Sequence, residues 1–280
     1  MMNLIVLKGE ENSGKTITLK MVYERLKTFN LLDTHWFKYY DDDGAHRDFR
    51  DVLILNTSKA IAAYPPISPS SVTCTTIDYD GSDISILKSL FDDVDFNYIK
   101  DPSKLINEHQ SISEYDYGKD YDETEELDRT YDDNLRDKLD TLRETSDNSV
   151  SESHIETTLN TVSKFKPNGI NLIGFVLEGD YGFAHAITKS TTTHHSRCLY
   201  DHLKTLEFCN SLICACSIPA IGTHPRMNPV YCVVKFIIDY ASKYGSIRVV
   251  LINSNRSSST SWSTKISIDK AIAHQIINNI

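Results

Sequence analysis

Residues 9–16 have the types and the spacing that are needed to hold a chain of phosphate groups. They match the pattern G-x-x-x-x-G-K-[ST] in full. Gly9 and Gly14 have no Cβ atom, so the main chain can pass close to a diphosphate at these positions. We expect the side chain of Lys15 to reach the β- and γ-phosphates, and the hydroxyl of Thr16 to bind Mg²⁺.

The main chain of the same segment is expected to make a second kind of phosphate contact. Its amides should point towards the phosphates, where the dipole of a following helix adds partial positive charge. Lys15 is therefore also a predicted catalytic residue, because it would stabilise charge on the phosphates. The predicted nucleotide-binding residues are Gly9, Asn12, Ser13, Gly14, Lys15 and Thr16.

The flanking sequence predicts a strand before this segment and a helix after it. Residues 3–7 are apolar and partly β-branched, as in a buried strand. Residues 16–27 carry Leu19, Val22 and Leu26 at helical spacing. A strand, a glycine-bounded loop and a helix form the setting that makes this pattern a phosphate-binding site, so a chance match is the weaker interpretation.

A phosphate site that uses Mg²⁺ also needs a carboxylate on a neighbouring strand, and Glu178 and Asp180 are the candidates. Glu178 directly follows the apolar run 172–177, at the strand end where ligands bind in open α/β sheets. We expect one of the two carboxylates to order the metal shell or the nucleophile, with Glu178 joining Thr16 as a metal ligand. An acidic turn without a functional role is the alternative. Asp51 is a weaker candidate, since we expect it at the end of its strand that lies away from the ligand.

Arg226 is the candidate for stabilising the charge that spreads over the γ-phosphate in the transition state. It lies in residues 217–229, a proline-containing loop after a predicted buried strand. A surface arginine in a rigid loop is the alternative interpretation. Arg256 is a similar candidate in a serine-rich loop that we expect near the base, and Arg197 is a weaker one.

Histidine and cysteine residues do not predict a zinc site. The set does not have the spacing of a C-x-x-C pair. Two of its cysteines fall in an apolar strand, where cysteine packs as a small hydrophobic residue. The residues concerned are His194, His195, Cys198, Cys214 and Cys216.

The remaining apolar patterns predict an α/β fold with a mainly parallel sheet, because strands alternate with helices. Further strands are expected in residues 35–40, 48–57, 171–177, 211–216 and 247–252. Further helices are expected in residues 196–206, 230–244 and 268–280.

Residues 58–168 are expected to interrupt this body, which comprises residues 1–57 and 169–280. Residues 101–156 hold 18 acidic and 6 basic side chains, a net charge of −12, against −10 for the whole chain, so the remainder carries +2. Residues 121–145 predict an exposed amphipathic helix, and we expect the rest of the insertion to be partly disordered. The insertion either binds a protein partner or is a solvated segment without a role.

Composition excludes several function classes. No run approaches the ~20 apolar residues of a membrane span, and the N-terminus lacks a basic signal-peptide region. A cytoplasmic location with no membrane partner is therefore expected. A nearly neutral body with an acidic insertion argues against nucleic-acid binding. The six cysteines are expected to be reduced, because a chain of 280 residues needs no disulfide framework.

Three segments resemble the P-loop nucleoside triphosphatases, and more narrowly a group of uncharacterised bacterial ATP-binding proteins. They are residues 9–16, residues 174–180 (Gly-Phe-Val-Leu-Glu-Gly-Asp) and residues 214–216 (Cys-Ala-Cys). The resemblance implies a three-layer P-loop sandwich that binds ATP and Mg²⁺. That group tends to carry an arginine directly after the Cys-Ala-Cys strand, where this chain has Ser217.

The sequence predicts an Mg²⁺-dependent ATP-binding protein that cleaves the γ-phosphate. ATP is favoured over GTP, because the base-reading pattern [NT]-K-x-D is absent. A kinase for a small molecule or a nucleotide is one alternative, although few arginines are present for a mobile lid. A nucleotide-gated interaction protein that acts through residues 101–156 is the other.

Overall fold

A computed structural model of the chain describes most of the predicted body. The described residues are 1–10, 13–30, 40–42, 46–56, 72–92, 94–99, 170–177, 199–218, 228–254 and 261–280. The predicted helix in residues 121–145 and the whole of the acidic segment 101–156 lie outside them.

The described residues form seven strands and six helices. The strands are β1 (Met2–Gly9), β2 (Tyr40–Asp42), β3 (His46–Asn56), β4 (Val72–Tyr79), β5 (Ile170–Leu177), β6 (Ser211–Ser217) and β7 (Ile247–Ser254). The helices are α1 (Lys15–Lys27), α2 (Ile84–Leu90), α3 (Phe96–Ile99), α4 (Leu199–Thr205), α5 (Pro229–Tyr244) and α6 (Trp262–Asn278).

The strands form one sheet in the order β2-β3-β5-β6-β1-β7-β4. The central strands β5, β6, β1 and β7 run parallel to one another. β3 and β4 pair antiparallel on either side of this group, and β2 pairs antiparallel with β3. The central strands consist largely of continuous apolar runs because helices cover both of their faces. The expected α/β fold with a mostly parallel sheet is therefore confirmed.

Two hydrophobic cores lie on opposite faces of the sheet. One contains Ile5 and Leu7 of β1 with the apolar sides of α1 and α6. The other contains Leu4 and Val6 of β1 with the apolar sides of α2, α3, α4 and α5. Successive side chains of a strand point to opposite faces, so β1 contributes to both cores in turn.

Helix ends follow the signals in the sequence. α5 begins after Asn228, whose side chain accepts a hydrogen bond from the Val230 amide at 2.9 Å. It ends at Gly245, which has a positive φ of 90°. α6 begins earlier than predicted, at Trp262, because Ser261 provides the N-cap.

Residues 72–99 differ from the predicted insertion. Val72–Tyr79 adds a strand beside β7, and the segment that follows packs α2 and α3 against the core through Leu87, Phe91 and Phe96. The threonine-rich strand was missed because its neighbouring Pro/Ser/Thr-rich residues resemble a loop. These residues fall within the predicted insertion 58–168 and pack with the sheet and its core.

A substitution of Gly174 in β5 tests the packing between β5, β6 and the turn after α4. A Cβ atom at this position would lie 2.9 Å from Leu212 Cδ1 and 3.0 Å from Cys209 Sγ. Gly174→Ala should lower the free energy of unfolding by about 1–3 kcal/mol in urea denaturation, because the core has no room for a methyl group. Cys74→Ala at an exposed position of β4 is the control, and we expect a change within about 0.5 kcal/mol. An unchanged or higher stability of Gly174→Ala would contradict this packing.

Candidate active site

The candidate site lies at the carboxyl end of β1, where neighbouring strands lead to helices on opposite faces. β1 continues into α1 on one face, and the adjacent strand β6 is followed by α5 on the other. The chain therefore diverges on either side of β1 and β6. Ligands of open α/β sheets bind in the crevice that such a divergence opens.

The loop between β1 and α1 turns sharply at Gly14. This residue has φ 87° and ψ 10°, a left-handed conformation that costs little only for glycine. The Gly14 carbonyl already accepts a hydrogen bond from the Thr18 amide at 3.0 Å, so the helix starts directly at the turn. The first turn of α1 contains no acidic residue. The positive end of the helix dipole therefore lies at this turn without a nearby helical carboxylate.

Lys15 is held on the main chain of the loop. Its side chain is only 8% exposed, and Nζ donates hydrogen bonds to the carbonyl oxygens of Gly9 at 3.1 Å and Glu10 at 2.7 Å. A positive charge is thus fixed inside the turn between β1 and α1. The sequence pattern predicted a lysine in this loop but not the two carbonyl oxygens that hold its ammonium group.

Ser13 is the most tightly enclosed polar residue of the loop. It is 2% exposed, and its Oγ makes no hydrogen bond with the described part of the chain. Its amide donates to the Glu10 carbonyl at 3.1 Å, and its carbonyl accepts from Ser254 Oγ at 3.1 Å. Buried hydroxyl groups nearly always have a partner in folded proteins, so the Ser13 hydroxyl is suited to meet a polar ligand.

Gly9 allows the loop to fold back on itself. A Cβ atom on Gly9 would lie 2.5 Å from Ser13 Oγ and 3.2 Å from Ser254 Cβ, so no larger residue fits without a shift. The Gly9 carbonyl also accepts a hydrogen bond from the Ile218 amide at 2.9 Å. Contacts to residues that end or follow β6 and β7 therefore hold the loop from both sides.

A buried contact to α6 also fixes the start of α1. Thr18 Oγ1 donates to Asp269 Oδ1 at 3.4 Å, and both residues are almost completely buried. Thr16, by contrast, is exposed at the start of the same helix. Its hydroxyl is therefore accessible to a ligand or a metal ion.

Glu178 and Asp180 follow β5 and lie outside the described residues. β5 is not the neighbour of β1, because β6 lies between them. Strands are about 4.8 Å apart, so the end of β5 is roughly 10 Å to the side of β1. The expectation that Glu178 and Asp180 follow a strand adjacent to β1 is therefore wrong, while their role in the site stays a prediction.

Asp51 lies in the middle of β3. β3 runs antiparallel to β5, and Asp51 is opposite Phe175, whose partner on β6 is Ile213. Ile213 is in turn opposite Ile5 of β1, so Asp51 is level with Ile5 rather than with Gly9 at the end of β1. Asp51 therefore stays the weaker carboxylate candidate.

The other predicted site residues lie outside the described residues. They are Asn12, Arg197, Arg226 and Arg256. The loop 217–229, which contains Arg226, begins beside the candidate site, since its residue Ile218 donates a hydrogen bond to the Gly9 carbonyl.

Cys214 and Cys216, two of the cysteines considered for zinc, pack as core residues. Cys214 and Cys216 are both buried in β6, and burial raises the pKa of the Cys214 thiol to about 12, which disfavours the thiolate that zinc needs. Across the described ranges, no three His, Cys, Asp or Glu side chains form a cluster that could hold a metal ion. All five cysteines in these ranges are free thiols, which agrees with the expected reduced state.

Comparison with known proteins does not identify a relative. No protein-family model, curated protein or solved structure matches this chain. The P-loop resemblance therefore stays a prediction from the sequence. None of the helices within the described ranges is both long and apolar enough to cross a bilayer.

Ser254 is a site residue that the sequence pattern did not single out. We expect its hydrogen bond to the Ser13 carbonyl to hold the loop in place. Ser254→Ala removes the hydrogen bond to the Ser13 carbonyl, and we expect a loss of about 0.5–1.5 kcal/mol in unfolding free energy. The Gly14 and Lys15 amides should also exchange hydrogen faster. Ser89→Ala, which removes a similar bond to a carbonyl on exposed α2, is the control. Equal exchange rates in the two variants would show that Ser254 does not hold the loop.

Proposed function

We propose that the chain binds MgATP through residues 9–16 and cleaves the γ-phosphate. The observation that carries the proposal is the Lys15 ammonium, held on the Gly9 and Glu10 carbonyls in a loop that ends at a helix N-terminus. A fixed cation and the N-terminus of a helix at one point attract a polyanion. A hydrogen bond to a charged group contributes about 1.5–3 kcal/mol, so Lys15 alone would account for roughly a 10- to 100-fold gain in affinity.

Three further features support a phosphate ligand in this loop. The left-handed Gly14 brings main-chain amides into the turn. The buried Ser13 hydroxyl can meet a phosphate oxygen. Gly9 keeps the loop clear of a side chain that would fill it. Together they describe a concave surface of donors with a positive charge beside it, which suits phosphate better than a neutral ligand.

The proposed reaction is the attack of water on the γ-phosphorus. The bond from this phosphorus to the bridging oxygen breaks, which gives ADP and inorganic phosphate. Bound Mg²⁺ would neutralise charge on the β- and γ-phosphates. The Thr16 hydroxyl is accessible for the ion, and Glu178 or Asp180 would complete its shell or orient the water. Arg226 remains the proposed cation for the transition state.

Two alternatives remain from different classes. A kinase would transfer the same phosphoryl group to a hydroxyl of a small molecule or a nucleotide. An interaction protein would use the nucleotide to control a partner bound at residues 101–156. We favour ATP hydrolysis in the cytoplasm over both, on the basis of the sequence pattern and the small number of candidate lid arginines.

Lys15→Met tests the proposed function. The variant keeps an apolar stem of similar length but loses the charge, so MgATP affinity should fall about 10- to 100-fold and ATP turnover should be lost. Isothermal titration and a phosphate-release assay measure the two quantities. Lys20→Met removes the same charge one helical turn further along α1 and should retain both. Undiminished affinity of a folded Lys15→Met variant would refute the proposal.

Deletion of residues 101–156 distinguishes an ATPase from a nucleotide-gated interaction protein that acts through this segment. Hydrolysis should persist in the deleted chain at a rate near that of the full chain, since the predicted catalytic residues lie elsewhere. Loss of all turnover, with MgATP binding intact, would contradict an active site confined to the body. Turnover that requires an added hydroxyl compound would favour the kinase.

A further inference from the structure

β4 is the last strand on its side of the described sheet, and the middle of this strand is exposed. Its neighbour among the described strands is β7, with which all eight residues pair in one unbroken antiparallel register. Four consecutive residues of β4 are exposed: Thr73, Cys74, Thr75 and Thr76. Because successive side chains of a strand point to opposite faces, these residues are exposed on both faces of the sheet. The outer edge of β4 is therefore accessible to another strand.

The sequence of β4 lacks the features that usually keep an edge strand from pairing. Natural edges are commonly protected by lysine or other charges, by proline, or by a bulge. β4 reads Val-Thr-Cys-Thr-Thr-Ile-Asp-Tyr, with no lysine or proline, and its one charged residue is Asp78 near the end. The unbroken register with β7 leaves no room for a bulge. Most of its residues are β-branched, which favours the extended conformation.

Symmetry and side-chain alternation restrict how two copies of β4 can pair. Residues that face each other in an antiparallel pair point to the same side of the sheet. A two-fold axis must therefore pass through one residue rather than between two, because adjacent residues point to opposite sides. An axis at Thr75 aligns residues 72–78 of both copies. The facing pairs are then Thr75 with its equivalent, Cys74 with Thr76, Thr73 with Ile77 and Val72 with Asp78.

Charge favours a second copy over a charged strand of another protein. Residues 72–77 carry no charge, so a charged partner strand would find no opposite charge beside them. In the two-fold pairing Asp78 faces Val72, and the two Asp78 carboxylates lie at opposite ends of the paired segment. Like charges therefore do not meet at the edge, although each chain carries a net charge of −10. Threonine pairs across strands add hydroxyl hydrogen bonds.

We propose that β4 is an interaction surface for a second copy of the chain, and that the two β4 strands pair antiparallel about Thr75. The two sheets then form one continuous sheet, and the pairing closes at a dimer because it uses the β4 edge of both copies. The paired segment is shorter than the ~20–30 residues a side of a standard stable interface, so the dimer dissociates on dilution. The pairing does not require a bound nucleotide.

Thr75→Lys tests the pairing, because it places two ammonium groups opposite each other at the two-fold axis. Sedimentation velocity over a range of concentrations measures the dimer. We expect the full chain to dimerise, and the variant to dimerise about tenfold more weakly or less, since like charges directly opposite destabilise strand pairs. Thr28→Lys makes the same change at an exposed position after α1 and should dimerise as the wild type does. A wild-type chain that stays monomeric at millimolar concentration, or equal dimerisation of Thr75→Lys, would overturn the proposal.

Cys74 provides a second measurement, on the unsubstituted chain. The two Cys74 residues would be diagonal neighbours across the paired strands, which lie about 7–8 Å apart. A short bis-maleimide should therefore join two chains through Cys74, whose side chain is exposed. Cys74→Ala should prevent the crosslink, and Thr75→Lys should reduce it while a melting curve shows that this variant folds. A dimer that crosslinks equally well without Cys74 would contradict the pairing.

Discussion

The close approach of the 9–16 loop to the end of β7 is the constraint on which the candidate site depends. Gly9, Ser13 and Ser254 meet at distances that leave no space for a larger side chain at Gly9. The hydrogen bond from Ser254 to the Ser13 carbonyl, and that from Ile218 to the Gly9 carbonyl, join the loop to the chain on either side of β1. The parallel register of β6, β1 and β7 brings these three strand ends to one level.

The fixed loop supports the proposed phosphate site, because such a site is formed before the ligand arrives. Amides that are already oriented need little reorganisation when they meet charge. Lys15 is held by two carbonyls, and α1 is held against α6 through Thr18 and Asp269. The site lies where β1 leads to α1 on one face of the sheet and β6 is followed by α5 on the other. There, the loop is supported from both sides while its open side faces the crevice.

The sequence predicted the parts of the fold whose pattern is local. β1, β5, β6 and β7 are apolar runs, α1 and α5 carry apolar residues at helical spacing, and Gly245 marks the end of α5. It did not predict the pairing directions of β3 and β4, because direction depends on long-range contacts rather than on side-chain period. β4 was taken as part of the insertion because the neighbouring residues are rich in Pro, Ser and Thr. Ser254 was missed because its contact with the loop arises only when β1 and β7 lie side by side.

The most direct measurement of the central claim is the response of individual main-chain amides to MgATP by nuclear magnetic resonance. The 9–16 loop should bind the phosphates through the amides of Ser13, Gly14, Lys15 and Thr16. We predict that these signals shift strongly on saturation, whereas Gly245, in the turn between α5 and β7, does not respond. Saturable MgATP binding that leaves the loop amides unchanged, or no binding at all, would contradict the account.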